Sequence, residues 1–332
     1  MKQEISRPNL NQIKNYQKKL QLIRDESSNI VVGQEEVING LLRALLCDGH
    51  VLLEGIPGIA KTLIVRTLAK VTGCQYSRIQ FTADLLPTDI VGLTVYIKEK
   101  DEFRINKGPV FANFIIADEI NRSPPKTQSA MLEAMQEKQV TIGNNTYKLP
   151  DPFFVMATQN PIESSGVYPL PEAQIDRFLF KIKIIYPKLH EENQILTKNI
   201  TLKRFEEIKL KEVTNPKEIV KMQDFTKKIY LSKDVENYIV KLVDATRNPN
   251  KYKINLGQYI EWGCSPRASI GLYIASKAEA LIQGHNFVTP AHVKAVAYDV
   301  MRHRMILNYE GQAENIKTES IISEVLSKVP IP

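Results

Sequence analysis

Four short apolar runs, the first three closed by polar residues, constrain this chain more than any other feature. They are His50-Val51-Leu52-Leu53-Glu54, Phe114-Ile115-Ile116-Ala117, Phe153-Phe154-Val155-Met156-Ala157 and the stretch from about 178 to 185. Continuous apolar strands separated by helical segments indicate a parallel sheet covered on both faces. The first run leads into a glycine loop, the second into Asp118-Glu119 and the third into Thr158-Gln159-Asn160-Pro161. In open α/β sheets, ligands bind at this carboxyl edge.

Helical spacing surrounds the runs. Leu10, Ile13, Leu20, Leu22 and Ile23 mark a peripheral helix over 10–26. Val37, Ile38, Leu41, Leu42, Leu45 and Leu46 mark a second over 34–47, and 60–71 reads as a third, closed by Gly73. Two alternating pairs interrupt the pattern. Thr94-Val95-Tyr96-Ile97 with Phe103-Arg104-Ile105, and Val140-Thr141-Ile142 with Thr146-Tyr147-Lys148-Leu149, read as inserted β-hairpins. Beyond about 187, strand signals fade and helices are expected over 188–199, 216–229, 233–246, 266–283, 290–305 and 317–328. Ser265-Pro266 and Thr289-Pro290 each resemble an N-cap followed by proline at the first helical position. The charged stretch near 200–216 marks the expected boundary. The division expected is a helical extension over 1–30, an α/β nucleotide-binding core over 31–200 and an all-α C-terminal domain over 201–332.

Composition narrows the class. With 332 residues, 43% apolar and 24% charged, the chain can bury a sizeable core and reads as soluble and globular. The start, MKQEISRPNLNQ, has no apolar stretch and so does not read as a signal peptide. No run approaches the roughly 20 apolar residues of a membrane span. Cys47, Cys74 and Cys264 are far apart and odd in number, which argues against a disulfide framework or a zinc site and for a reducing cytoplasm. The net charge of +7 is spread in small groups such as Lys18-Lys19 and Lys227-Lys228, the pattern of a solvated surface rather than a nucleic-acid groove.

The chemistry begins at Gly55-Ile56-Pro57-Gly58-Ile59-Ala60-Lys61-Thr62-Leu63, a phosphate-binding loop G-x-x-x-x-G-K-[ST] whose second consensus glycine is Ala60. Unpaired N–H groups at a helix N-terminus attract anions, Gly55 and Gly58 allow close approach, Lys61 supplies charge for the β- and γ-phosphates, and Thr62 can ligate Mg²⁺. If position 60 needs a positive φ, alanine costs about 1 kcal/mol relative to glycine. Asp118 would hold Mg²⁺ and Glu119 would polarise the attacking water. Asn160 would orient that water. Arg177, after Asp176, and Arg267, after Ser265-Pro266, are candidates for stabilising charge on the transferred phosphoryl group. Each has a plainer reading when taken alone: a helix-capping acid pair, an Asn-Pro turn, and surface ion pairs worth about 0–1 kcal/mol.

Taken in order and spacing, these segments resemble the MoxR family of AAA+ ATPases. The segments carrying the resemblance are GIPGIAKT, FIIADEINRSPPKTQSAMLEAMQEKQVTI, FVMATQNPIESSGVYPLPEAQIDRFLF, GCSPRASIGLYIASKAEALIQG and VTPAHVKAVAYDVMRHRMIL, over about 27–310. The resemblance implies a P-loop NTPase core with two inserted hairpins and a helical C-terminal lid. It makes the glycine loop the Walker A segment, Asp118 and Glu119 the Walker B pair and Asn160 sensor 1. It makes Arg177 an arginine finger reaching a neighbouring subunit and Arg267 sensor 2, acting in cis or in trans. ATP and Mg²⁺ are the implied cofactors. A hexameric ring, a protein client and a von Willebrand factor A-domain partner are the implied company, and alanine at position 60 is common in the family.

Two rival functions are compatible with the same residues: a nucleic-acid motor or loader that grips through the hairpins, and a nucleotide-sensing scaffold with negligible turnover. The intact Glu119 argues against the second. Base selectivity, ATP against GTP, is not legible, and Gly33 beside Val32 is the candidate base contact.

Overall fold

A computed structural model describes residues 9–55, 61–160, 167–198, 205 and 209–332. The chain enters through α1 (Leu10–Ser28) and α2 (Glu35–Leu46), then β1 (Val51–Glu54), α3 (Lys61–Val71), β2 (Tyr76–Gln80) and α4 (Pro87–Val91). The hairpin of β3 (Gly92–Ile97) and β4 (Glu102–Lys107) precedes β5 (Phe114–Asp118) and α5 (Pro125–Glu137). The hairpin of β6 (Gln139–Ile142) and β7 (Asn145–Lys148) leads to β8 (Phe154–Gln159), α6 (Glu172–Ile175), β9 (Phe180–Lys183) and α7 (Leu189–Lys198). The rest is helical apart from one small ribbon: α8 (Pro216–Lys227), α9 (Lys233–Arg247), β10 (Ile260–Trp262), α10 (Pro266–Ile282), α11 (Pro290–Met301), β11 (Ile306–Leu307), α12 (Tyr309–Ala313) and α13 (Thr318–Lys328).

The four apolar runs become the four inner and edge strands of a parallel sheet ordered β2-β5-β8-β1-β9. Both faces are buried, and the pleat sorts the side chains between two cores. Val51, Leu53, Phe114, Ile116, Phe154, Met156, Phe180 and Ile182 face one. Leu52, Ile115, Ala117, Val155 and Ala157 face the other, against Met131, Leu132 and Met135 of α5. The fifth strand, β2, is a finding that the sequence pattern did not announce. Tyr76-Ser77-Arg78-Ile79-Gln80 buries only Ile79 fully, because an edge strand packs on one side and its polar residues can face solvent.

The first core does not stop at the sheet. It runs through α1, α2 and α3 into the lid helices, taking in Leu242, Leu272, Val296, Val300 and Ile322. The lid is therefore seated on the sheet's helical layer by shared apolar burial. A buried ion pair from Arg43 of α2 to Glu279 of α10 crosses the same seam. The expected caps form: Ser265 Oγ accepts from the Arg267 N–H at 3.2 Å. At α11, His292 Nδ1 accepts from the Thr289 N–H at 3.0 Å, a histidine closing the capping box. Both expected hairpins form, the second turning through Gly143 at φ 59°. Cys47, Cys74 and Cys264 are unbonded thiols, and burial pushes those of Cys74 and Cys264 up to about 11 and about 12.

Candidate nucleotide site

Parallel register fixes where the site assembles. Leu53 pairs with Thr158, Ala117 with Ala157 and Gln80 with Asp118, so β1, β8, β5 and β2 end nearly flush. Gly55, Asp118-Glu119 and Thr158 to Asn160 all lie at this one edge. Ile56, Pro57, Gly58, Ile59 and Ala60 lie outside the described residues, and with them the backbone angle at Ala60. On either side of that gap, Lys61 opens α3 and its Nζ donates to the Gly55 carbonyl oxygen. Thr62 and Leu63 follow in the first turn of α3, half-buried. Gly55 needs to be glycine for a packing reason: a Cβ there would sit 2.9 Å from the Ile184 carbonyl oxygen.

Asp118 and Glu119 are held by a compact set of side chains. Thr158 Oγ1 donates to Asp118 Oδ1 at 2.6 Å and accepts from the Glu119 N–H at 2.8 Å. Arg78 clamps Asp118 Oδ2 with Nε at 3.1 Å and Nη2 at 2.6 Å. Gln80 Nε2 donates to Glu119 Oε2 at 2.8 Å, and Arg122 Nε lies 3.2 Å from the same oxygen. Glu119 takes φ 56°, ψ 50°, a left-handed conformation costing about 1–2 kcal/mol for an L-residue with a Cβ. Strain of this kind persists where surrounding bonds over-determine it, and here Thr158 supplies the backbone bond and Gln80 the side-chain bond. Asn160 is buried one residue beyond β8.

Gly33 also reaches this edge. It has φ 71°, and a Cβ on it would meet Glu191 Oε2 of α7 at 2.6 Å, while the next residue, Gln34, donates to the Ile185 carbonyl oxygen at 3.1 Å. Gly33 thus lies beside the segment that follows β9, next to the end of β1.

Arg177 and Arg267 are elsewhere. Phe180 pairs with Val51 at the start of β1, and the Leu179 N–H donates to the His50 carbonyl oxygen at 2.8 Å. The segment carrying Arg177 therefore enters β9 at the amino edge of the sheet. The four-residue ladder between the edges spans roughly 10 Å. Arg177 is exposed and borders a cavity of about 300 Å³ with Ser129, Glu133, Gln136, Glu137 and Gln174. Arg267 is also exposed and lies on the same side, its Nη1 3.4 Å from Asp176 Oδ2. The sequence motifs brought these two arginines into one constellation with Lys61 and Glu119; one folded chain keeps them on opposite edges.

Sequence reasoning missed several of the groups at these edges. Thr158 follows an apolar run and was visible only as part of a polar strand end. Arg78 and Gln80 sit on the strand that had no apolar signature. Arg304, in an Arg-His-Arg triplet that looks like surface, is 7% exposed; burial pulls its guanidinium's pKa down and Asp176 opposes that. A larger cavity of about 590 Å³ opens in the lid, lined by Lys241, Arg247, Lys251, Lys253 and Lys328 among others. It shares no residue with the sheet edge and is not this site.

Comparison with known proteins agrees with this geometry. Residues 50–180 match the model of the ATPase family associated with various cellular activities (AAA), and residues 255–325 match the AAA lid domain. The chain is 46% identical to Chaperone MoxR1 of Mycobacterium tuberculosis over 92% of this chain and 81% of that protein. It is 31% identical to Protein MoxR of Paracoccus denitrificans over 92% and 94%. A crystal structure of a Cytophaga hutchinsonii protein superposes with a TM-score of 0.89 at 45% identity, covering 97% of both chains. With a P-loop context, an acidic pair and a buried asparagine at one sheet edge, and a helical lid seated behind it, the chain belongs to the MoxR family of AAA+ ATPases.

Proposed function

We propose that the chain is a Mg²⁺-dependent ATPase whose site is completed by a neighbouring subunit, and that it couples hydrolysis to remodelling or maturing a protein client. One observation carries this reading: Lys61, Asp118, Glu119 and Asn160 gather at the carboxyl edge of the sheet, whereas Arg177 and Arg267 stand at the amino edge. Backbone N–H groups of the loop from Gly55 to Leu63, and Lys61, hold the phosphates. The Thr62 hydroxyl and an Asp118 carboxylate oxygen are hard donors of the kind Mg²⁺ takes alongside phosphate and water; the ion, when bound, neutralises charge on the phosphoryl group. Glu119 polarises the attacking water and Asn160 orients it. Gly33 lies on the nucleobase side.

Arg177 and Arg267 then act together on the nucleotide of the next subunit, since Asp176 ties them to one edge. A contact in which one edge meets the opposite edge of the next copy is head-to-tail, and such contacts form a ring when the rotation between copies closes. Six subunits, a von Willebrand factor A-domain partner and a cytoplasmic setting are the family-based expectations. The relative named Chaperone MoxR1 supports a protein client, and no described helix is long and apolar enough to cross a membrane. The division into 1–30, 31–200 and 201–332 is supported by the two matched segments, 50–180 and 255–325.

The test is turnover as a function of protein concentration for the parent and for Lys61→Ala, Glu119→Gln and Arg177→Ala. Lys61→Ala loses ATP binding, Glu119→Gln binds ATP without turning it over, and Arg177→Ala binds ATP and turns over at least 10²-fold more slowly. A strictly monomeric form with full turnover, unchanged by Arg177→Ala, would sink the shared site. Affinity capture on Glu119→Gln identifies the client. Turnover stimulated by DNA, with salt-dependent binding, would move the reading to a nucleic-acid motor.

A further inference from the structure

Asp176, the residue before Arg177, is the meeting point of three lid groups. Ser265 Oγ lies 2.9 Å from Oδ2, Arg267 Nη1 3.4 Å from Oδ2, and Arg304 Nε 2.8 Å from Oδ1. Arg304 does more than pair with the carboxylate. Its Nη2 donates to the carbonyl oxygens of Phe178 at 2.6 Å and Asp176 at 3.3 Å, and its Nη1 donates to that of Leu179 at 3.0 Å and to that of Val300 on α11. His303 Nε2 adds a contact to the Phe178 carbonyl oxygen at 3.0 Å. The backbone on both sides of Arg177 is thus bonded to one buried guanidinium from the segment just after α11. Arg177 itself is left exposed, with no partner for its guanidinium among the described residues.

We propose that Arg304 is a positioning residue: it makes the segment carrying Arg177 move with the lid, so that Arg177 and Arg267 are presented to the neighbouring nucleotide as one rigid pair. A planar fork that reaches the carbonyl oxygens of Asp176, Phe178 and Leu179 and the Asp176 carboxylate is a job arginine can do and lysine cannot. The lid packs on α2 through the shared core and the Arg43–Glu279 pair, so a change in lid seating in one subunit reaches the active site of the next through Arg304. This inference rests on the shared-site reading above, and the experiment separates the two.

The variants are Arg304→Gln, Arg304→Lys and Asp176→Asn, assayed alone and mixed with Glu119→Gln. Affinity for a fluorescent ATP analogue stays within about 2-fold, because each variant's own loop is untouched, while kcat falls at least about 10-fold. Mixing is the decisive arm. A productive interface needs an intact Glu119 on one side and well-presented arginines on the other. An equal, random mixture of Arg304→Gln with Glu119→Gln subunits therefore recovers about a quarter of wild-type turnover, although each parent is nearly inactive. Arg177→Ala mixed with Glu119→Gln is the control. If that control recovers and the Arg304→Gln mixture does not, Arg304 serves its own subunit's fold and the proposal falls while the shared site stands. If the control also fails, the shared-site reading falls. Should Arg304→Gln not fold, Asp176→Asn, which preserves shape, carries the same mixing test; wild-type kcat in Asp176→Asn overturns the proposal.

Discussion

Replacing Thr158 by valine removes one hydroxyl without changing shape, and its cost can be worked from two bonds. Thr158 is 1% exposed, accepts from the Glu119 N–H at 2.8 Å and donates to Asp118 Oδ1 at 2.6 Å. An unsatisfied backbone N–H costs about 1–3 kcal/mol, and a bond to a charged group contributes about 1.5–3 kcal/mol. Arg78 continues to hold the other Asp118 oxygen, so part of the second loss is recovered, and Thr158→Val is expected to destabilise by about 2–3 kcal/mol. The catalytic effect follows from backbone strain. Glu119 sits at φ 56°, ψ 50°, and losing a bond worth about 1–3 kcal/mol lets that residue relax, lowering kcat by roughly 10- to 100-fold. KM for ATP changes little, because Lys61 and the loop are untouched. Urea unfolding and steady-state phosphate release measure the two quantities, with Thr158→Ser, which keeps the hydroxyl, near the parent in both. Thr158→Val with kcat within 2-fold of the parent would refute the claim that this bond holds Glu119 in place.

Three further outcomes follow from other residues. His50 is buried, accepting at Nδ1 from the Val155 N–H at 3.1 Å with Nε2 2.9 Å from the Met135 carbonyl oxygen, and burial lowers its pKa from 6.5 to about 4. A depressed histidine is neutral in the fold, so its contribution is complete above pH 6.5 and is lost as pH falls toward 4; between pH 6.5 and 5 the parent loses about 2 kcal/mol more than His50→Gln by urea titration, and parallel curves would contradict this. Breaking the buried pair between α2 and α10 with Glu279→Gln costs about 3 kcal/mol, because Arg43 is left buried without its hydrogen-bonded partner and only the more distant Asp299 carboxyl faces its charge, whereas Arg43→Met with Glu279→Leu recovers most of it; equal losses in both would show that the charge is not the cause. Gly33→Ala combines a φ of 71° with a Cβ 2.6 Å from Glu191 Oε2, so the fold is expected to lose about 1–2 kcal/mol by urea unfolding and ATP affinity to fall about 10-fold by nucleotide titration; unchanged affinity in the folded variant would remove Gly33 from the nucleotide site.

How far the sequence could be read depended on whether a residue's signal was local. The three inner strands, β1, β5 and β8, announced themselves because a strand covered on both faces must be continuously apolar, while the edge strand β9 showed as the alternating run of Phe180, Lys181, Ile182 and Lys183. β2 did not, since an edge strand buries one residue and leaves Arg78 and Gln80 free to turn toward the acidic pair. Lys61, Thr62, Asp118 and Glu119 were found through fixed offsets from strand ends. Thr158 had no such offset; only the pairing of β5 with β8 brings its hydroxyl to Asp118. Arg304 was the least legible, a buried arginine 128 residues from Asp176, the carboxylate it holds.

The parallel sheet, the glycine loop between a strand and a helix, the acidic pair, the hairpins and the helical lid were all legible along the chain. Each of these is set by hydrophobic period, by turn residues or by a motif within a few residues of itself. Which edge of the sheet each functional side chain occupies is settled by the folded packing alone. Strand order and register are long-range properties, fixed by how two apolar cores fill on either side of the sheet, and they set Lys61 and Glu119 at one edge and Arg177 and Arg267 at the other. A motif list places all six arginine, lysine, asparagine and carboxylate candidates in one site; the packing of one chain divides them, and a second copy is needed to bring them together.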